Sequence, residues 1–544
     1  MQYLPGGMSG GCGDHLMNGI PIRIDGQNIV AAPGSTILEV AAAHSIRIPT
    51  LCHRTGYPPT TSCMICVVED MDANRLLPAC SMLVVEGMHI ETSTATVREA
   101  RKNTLDLLLS EHVGDCQAPC QRACPAQMNI PRMNRLLAEN CTAAAIMTIK
   151  RDIALPAILG RICPAPCEKA CHRRSFDGTV SICQLKRYAA DADLAQALPF
   201  RPTQPSPSGK KVAVIGAGPT GLSAAYYLLQ NGHTCHIYDD HPLPGGMLRY
   251  GVPEGHLDRA VLNLEIGRIM AGGASFYGNY ILGDRLLWGE LKDSYDAVVL
   301  ATGTLDPLMW ANSGLEISDR TIHVNRKTFE TNIAGWYAGG NAIGEGRLAI
   351  RSAAHGKAIA ASIQRSWDRT STKVEPPRPF HSVIGKLQPG EAEEFLKEAA
   401  ACPPIHPKSG FGGGFSEEEA VQEAARCFHC DCRKYESCRL RQYAEEYGSQ
   451  PRRFRSGLRR RFRKVLQHDW VIYEPSKCIR CGLCVRITRA AGEEIGLTFV
   501  RRGFDISVEA PFGEPLSRAL TKTALECVEA CPTAALALRE RKEK

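Results

Sequence analysis

Nineteen of the 24 cysteines fall into five groups whose internal spacing suits metal cofactors, and one dinucleotide-binding fingerprint stands between the third group and the fourth. Short Cys-x-x-Cys loops point two sulfurs at one metal centre, which is how thiolates hold iron–sulfur clusters. The other five, Cys12, Cys141, Cys235, Cys402 and Cys527, fit no group. The chemistry to expect is electron transfer, and the elements between the groups must position the centres.

The first group is Cys52, Cys63, Cys66 and Cys80, spaced C-x10-C-x2-C-x13-C. Two alternating runs flank Asp25-Gly26 ahead of it, a hairpin signal. Thr36 and Glu39 then open an apolar helix as a capping box. Strand, strand, helix and cysteine loop is the order of a β-grasp ferredoxin, and four thiolates suit a 2Fe–2S cluster; a zinc site is the alternative. The spacing resembles the N-terminal domain of the complex I 75-kDa subunit and of iron-only hydrogenases.

The next two groups are Cys116, Cys120 and Cys124, and Cys163, Cys167, Cys171 and Cys183. This block, through Arg187–Asp191, resembles the N-terminal helical domain of the glutamate synthase small subunit, found also in dihydropyrimidine dehydrogenase. The resemblance implies two 4Fe–4S clusters with crossed ligation: Cys116, Cys120 and Cys171 on one, Cys124, Cys163 and Cys167 on the other. Each is then one ligand short. The family's first cysteine falls at Val113, so His112 is the candidate for the first cluster; the plain reading is a surface histidine before a loop. The family's Gln or Glu ligand falls at Lys186, which as an ammonium cannot ligate. Cys183, three residues earlier on the same helical face, is the candidate for the second; the plain reading is an inert buried thiol.

Val212–Ile215 reads as a buried strand running into Gly216-x-Gly218-Pro219-x-Gly221, followed by a helix, a strand and Asp239. The glycines let the backbone approach a pyrophosphate at a helix N-terminus, and the acid takes a ribose hydroxyl. Three further stretches resemble the flavin side of the same family. They are the loop with Gly246, Met247, Leu248, Arg249, Gly251 and Val252, the strand end Ala301-Thr302-Gly303, and Gly339-Gly340-Asn341, where Asn341 replaces the usual aspartate. The resemblance implies FAD, with NAD(P) as runner-up. The family inserts an NADPH domain between the last two motifs. Here 35 residues separate Gly303 from Gly339, too few for a nucleotide-binding domain. Gly410–Gly414 follows prolines rather than a strand and reads as a flexible linker.

The fourth group, Cys427, Cys430, Cys432 and Cys438, follows a Glu/Ala-rich helix, Ser416–Arg426. It suits a 4Fe–4S cluster or zinc. The fifth, Cys478, Cys481, Cys484 and Cys531, resembles a bacterial-type ferredoxin with half its ligands lost, and one 4Fe–4S cluster is expected. With the fourth group counted as a cluster, the chain would hold about 18 iron atoms.

The expected fold is multidomain α/β and α+β. It comprises a β-grasp 2Fe–2S domain (18–96), a helical bis-4Fe–4S domain (97–200), a Rossmann-like FAD domain (208–370), a linker and Cys-rich segment (371–445), and a C-terminal ferredoxin-like 4Fe–4S domain (446–544). With 44% hydrophobic and 22% charged residues, the composition is that of an ordinary globular protein. No apolar run suits a membrane span, no signal peptide is evident, and the cysteine pattern favours cytoplasm. The net charge of +7 is more than matched by Arg452–Lys464, where eight of thirteen residues are basic. That run reads as a docking face for an acidic partner or as a solvated surface; nucleic acid does not fit. The expectation is an electron-transfer subunit relaying electrons between FAD and the clusters. Its partners would be NAD(P)H–flavin, hydrogenase or formate dehydrogenase subunits, and ferredoxin. A flavin flanked by clusters is also the arrangement electron bifurcation needs. The rivals are a self-sufficient NAD(P)H:acceptor reductase and a non-catalytic redox sensor or scaffold.

Overall fold

The computed structural model describes residues 19–539 except 204, 284–287, 305–309, 311–312, 369–378, 455–456 and 458. Cys12, parts of the basic run and parts of the segment after Gly303 lie outside the described residues. The chain forms two compact units that do not follow chain order. One takes the described residues of Met1–Gly114, Pro377–Ile384 and Arg433–Glu543; the other takes those of Asp115–Pro376 and Gly385–Cys432.

In the first unit the strands Ile20–Ile24 and Gln27–Ala31 form the expected hairpin. Asp25 and Gly26 both have positive φ, as a two-residue turn of the favoured hand requires. The Asp25 carboxylate also accepts from Thr92 N and Oγ1 at 2.7 and 2.6 Å, which ties the hairpin to the far strand. The sheet runs Gln27–Ala31, Ile20–Ile24, His89–Glu91, Val67–Asp70, Arg75–Pro78, with its first and last strands in chain parallel at the centre. Ile22, Ile24, Ile29 and Ala31 face inward and meet Ile37, Leu38, Val40 and Ala41 of the helix Ile37–Ala43. The capping box is present in both directions between Thr36 and Glu39. The helix Ala95–Ser110, placed by sequence with the helical domain, belongs to this unit: buried Arg101 donates to Val67 O at 2.8 Å and to Tyr447 Oη at 2.9 Å. The C-terminal part pairs Val471–Tyr473 with Leu536–Leu538 and Thr498–Val500 with Ser507–Glu509, beside the helices Leu483–Ala490 and Ala524–Ala530.

The second unit opens with short helices, several started by proline at the first turn: Pro119–Ala123, Ile130–Ala138 and Pro156–Ile162. The helix Ile182–Leu194 crosses the last of these at Gly160, where a Cβ would lie 2.9 Å from Arg187 Cα. A five-stranded parallel sheet follows, in the order Trp336–Ala338, Ala297–Leu300, Lys211–Ile215, Thr234–Tyr238, Ser275–Tyr277. Its inner strands read as continuous apolar runs because both faces are covered. Residues 385–432 then return to the helical part. The helix Glu417–Ala425 carries a Ser416/Glu419 capping box and ends at Arg426, which is fully buried. Gly410–Gly414 is not a bare linker: Gly410–Gly413 forms one helical turn, and Arg187 Nη2 donates to Gly412 O at 2.6 Å. No described helix is long and apolar enough to cross a membrane.

Candidate functional site

A cavity of about 170 Å³ lies over Lys150 and Glu265, but the cavity that carries the fingerprint is far larger, about 720 Å³, within the usual range for small-molecule sites. It opens at the carboxyl ends of the parallel strands, where open α/β sheets bind ligands. Gly216 has φ +106° and its Cβ would meet Ala301 O at 2.3 Å; a Cβ on Gly221 would meet Gly216 O at 1.9 Å. These two glycines serve packing. A Cβ on Gly218 would meet nothing within 4 Å, because that face looks into the cavity. Thr302 Oγ1 is buried at the cavity wall and has no hydrogen-bond partner among the described residues, which suits a polar ligand. Asp239 caps its strand: its carboxylate accepts from Ala217 N at 2.6 Å and His241 N at 3.0 Å. Burial pushes its carboxyl up, and the two N–H groups pull it back.

Pro219, Gly246, Met247, Leu248, Gly251, Val252, Ala301, Thr302, Gly303 and Asn341 all line this cavity. Three expected residues do not line it and brace it instead. Gly221 seats the helix on the strand. Arg249 donates to Pro244 O at 2.7 Å and to Asn263 Oδ1 at 2.6 Å. Gly340 N donates to His355 Nδ1 at 3.0 Å. Asn341 donates to Thr304 Oγ1 at 2.7 Å. Sequence reading missed His241 and Tyr250, whose rings stack at 4.2 Å, and Arg347. Tyr250 sits inside the quoted flavin-side motif and could have been found there. Ile162, from the helical part, also lines the cavity, and the next residue is Cys163.

Eight thiols of the second unit gather in two sets of four. Cys183 is hydrogen-bonded to Cys163, which pulls its thiol down, and to Cys167, which together with burial pushes it up to about 12. Cys124 stands within electrostatic reach of Cys163, and Lys186, 3% exposed, feels all four sulfurs. Their attraction outweighs the burial that would discharge its ammonium. The other set is Cys120, Cys171, Cys427 and Cys430, which line one small cavity with Ile130 and Val180.

The first unit holds two more sets. Cys52, Cys63, Cys66 and Cys80 are buried in two hydrogen-bonded pairs, Cys52 with Cys63 and Cys66 with Cys80. The thiol of Cys63 donates to Cys52 and holds it down at about 4, while Cys63 is pushed up. Two pairs are what two irons with two thiolates each require. Cys478, Cys481, Cys484 and Cys531 line one cavity with Tyr473 and Val508. Cys527 is fully buried against Cys484 O, outside that cavity. The two sets adjoin: Arg486 donates to Cys52 O at 2.6 Å and to Pro58 O, and Thr60 Oγ1 donates to Cys481 O at 3.4 Å.

Two expected groupings include residues of both units. Cys427 and Cys430 face Cys120 and Cys171, whereas Cys438 caps the helix Arg439–Glu446 in the first unit, its Sγ 3.8 Å from Pro532 O. Cys432 N donates to Cys116 O at 3.3 Å. His112 is buried just after the helix Ala95–Ser110, in the first unit, and Cys116 is buried in the second. The basic run is partly spent internally: Arg453 and Arg460 pair with Asp106 and Glu111 at 3.7 and 3.4 Å, and Lys464 is buried.

Three segments match known domain families. Residues 18–95 match a 2Fe–2S iron–sulfur cluster binding domain, residues 108–198 match dihydropyrimidine dehydrogenase domain II, 4Fe–4S cluster, and residues 214–267 match an NAD(P)-binding Rossmann-like domain. The chain is 39% identical to the NADPH-Fe(3+) oxidoreductase subunit beta of Geobacter sulfurreducens over 190 residues, 34% of this chain and 28% of that protein. It is 37% identical to the NADP(+)-dependent formate dehydrogenase subunit beta of Moorella thermoacetica over 207 residues, 34% of this chain and 29% of that one. It is 36% identical to the NAD-dependent dihydropyrimidine dehydrogenase subunit PreT of Salmonella typhimurium over 210 residues, 38% of this chain and 49% of that one. The chain thus spans less than half the length of each of these relatives.

Proposed function

We propose that this chain is an electron-transfer subunit of a flavin/iron–sulfur oxidoreductase, relaying single electrons between FAD and a series of clusters to or from partner subunits. The observation that carries this reading is the step from Ile162 to Cys163: one residue lines the dinucleotide cavity and the next belongs to a four-thiol set. The adjoining thiol sets of the first unit supply a second such step. The open face of Gly218, the unpartnered Thr302 hydroxyl and the Asp239 carboxylate fit the pyrophosphate and ribose of a dinucleotide. FAD, when bound, converts between two-electron and one-electron chemistry; the protein supplies position and field.

Relatives named as beta subunits of oxidoreductases support a partner-borne substrate site. The 35-residue segment after Gly303 supports the same reading, since it is too short for a nicotinamide domain. The test is photoreduction of the bound flavin in the anaerobically purified chain, followed by optical and EPR spectra. Reduced-cluster signals that rise as the flavin reoxidises are expected. A reduced flavin that leaves every cluster oxidised, with dithionite reducing those clusters in the same sample, would refute the relay.

A further inference from the structure

We infer that Cys120, Cys171, Cys427 and Cys430 hold one 4Fe–4S cluster, so that the segment following the sheet domain supplies half the ligands of a helical-domain centre. The inference rests on the reading of the helical domain as cluster-bearing and goes beyond it in naming the ligands.

Four observations carry it. The four residues line one cavity, whose other walls include Ile130, Pro131, Val180 and Ile182. The chain is clamped on both sides of the ligands by two fully buried arginines, each adjacent or next-but-one to a cysteine. Arg173 donates to Arg426 O and to Ala400 O, the latter at 2.9 Å. Arg426 donates to Gly178 O, Thr179 O and Cys402 O, each at 3.0 Å, and pairs with Glu423 at 2.9 Å. Such rigid forks set Cys171 and Cys427 before any cofactor arrives. Asn134 reaches the sulfur of Cys427 with its side chain and favours the thiolate, as groups around a ligating sulfur do. Arg135 closes the rim with a bidentate pair to Asp431 at 3.0 and 3.1 Å.

The spacing of the sulfurs selects the cofactor. Four thiolates on one zinc at about 2.3 Å would lie ~3.8 Å apart. Among the described residues, the one group of three or more ligand atoms all within 4.8 Å of each other is Asp239, Asp240 and His241, so these sulfurs are too dispersed for one zinc. A cubane places an iron behind each sulfur and spans the wider set. Each chain would then hold one two-iron and three four-iron clusters, about 14 iron atoms.

Iron, zinc and FAD per chain, measured on the full-length protein prepared anaerobically, test this. Cys120→Ser and Cys427→Ser should each remove about four iron atoms, and the double variant no more than either alone. A loss of about eight in the double variant would show two separate clusters and overturn the inference. Cys438→Ser should keep all its iron; loss of about four there would restore the contiguous Cys427–Cys438 site, even if the first variants fold poorly. Loss of one zinc instead of iron in Cys427→Ser would also overturn it. Cys163→Ser separates the two layers. If it costs four iron atoms while Cys427→Ser costs none, only this inference falls. If it costs none, the cluster reading of the helical domain falls and takes this inference with it.

Discussion

At the scale of single residues, charge and backbone shape govern the centres more than bulk does. Lys186 is a buried ammonium facing Cys124, Cys163, Cys167 and Cys183. A positive charge beside a cluster stabilises the reduced state. A unit charge a few ångströms away at an effective dielectric near 20 is worth ~2–4 kcal/mol, on the order of 100 mV for one electron. Lys186→Met is therefore expected to shift that cluster's midpoint potential negative by about 100 mV with iron content unchanged, as an EPR-monitored redox titration would read. Gly218→Val should yield protein with its iron and without its flavin, because the new side chain fills the face that must meet the pyrophosphate; flavin released on denaturation is the measure, and a fully flavinated variant would misassign the fingerprint. Sequence made Gly216, Gly218 and Asp239 legible because strand, turn, helix and acid are all local. It identified Cys183 through a helical spacing of three. It could not show that Cys427 faces Cys171, since nothing local encodes a contact across so much chain.

Among the elements, the helix Pro156–Ile162 ties two functions together. Both oxygens of buried Glu265 accept from its first turn, from Ala157 N and Ile158 N at 2.8 Å each. Its last turn delivers Ile162 to the dinucleotide cavity and Cys163 to its thiol set. Gly160 lets it lie against the helix Ile182–Leu194, which carries Cys183. Gly160→Val should push the two helices apart and separate Cys163 from Cys183. The expected result is a loss of about four iron atoms and of one EPR signal, with the 2Fe–2S signal intact. An overpacked contact of this kind typically costs ~1–3 kcal/mol, so a thermal melt should also fall. The elements themselves were mostly legible: the hairpin at Asp25-Gly26, the Thr36/Glu39 capping box and the first strand–helix–strand of the sheet all follow from short-range rules. The helix Ala95–Ser110 was not legible as part of the first unit. Its membership depends on Arg101 reaching Val67 O and Tyr447, and a side chain's distant acceptors leave no trace in periodicity.

For the molecule as a whole, the arrangement predicts what it cannot do alone. Hydride transfer needs a nicotinamide held against the flavin in a near-attack arrangement. With 35 residues after Gly303 there is no room for a domain to supply that hold. Anaerobic stopped-flow of the isolated chain with NADH or NADPH should show no saturable bleaching of the flavin band; rapid bleaching by either would promote the self-sufficient reductase over the relay. The 2Fe–2S, 4Fe–4S and Rossmann-like domains were readable, since each has its own local signature. The grouping of those domains was not, because the two units are stitched from segments far apart in the chain.

The stitching has a consequence for how the protein is made. The loop that carries Cys52 leans on Cys481 and Arg486, which leave the ribosome long after it. At ~5–20 residues per second, the interval between the end of the first segment and the start of its C-terminal complement is on the order of 20–60 s. For that time the nascent ferredoxin fold stands without the surface that will shield its cysteine loop. Ribosome-bound chains truncated before residue 433 should therefore lose this cluster to air far faster than the finished protein, and delivery of iron and sulfide to the loop would best be completed only once the last segment has emerged.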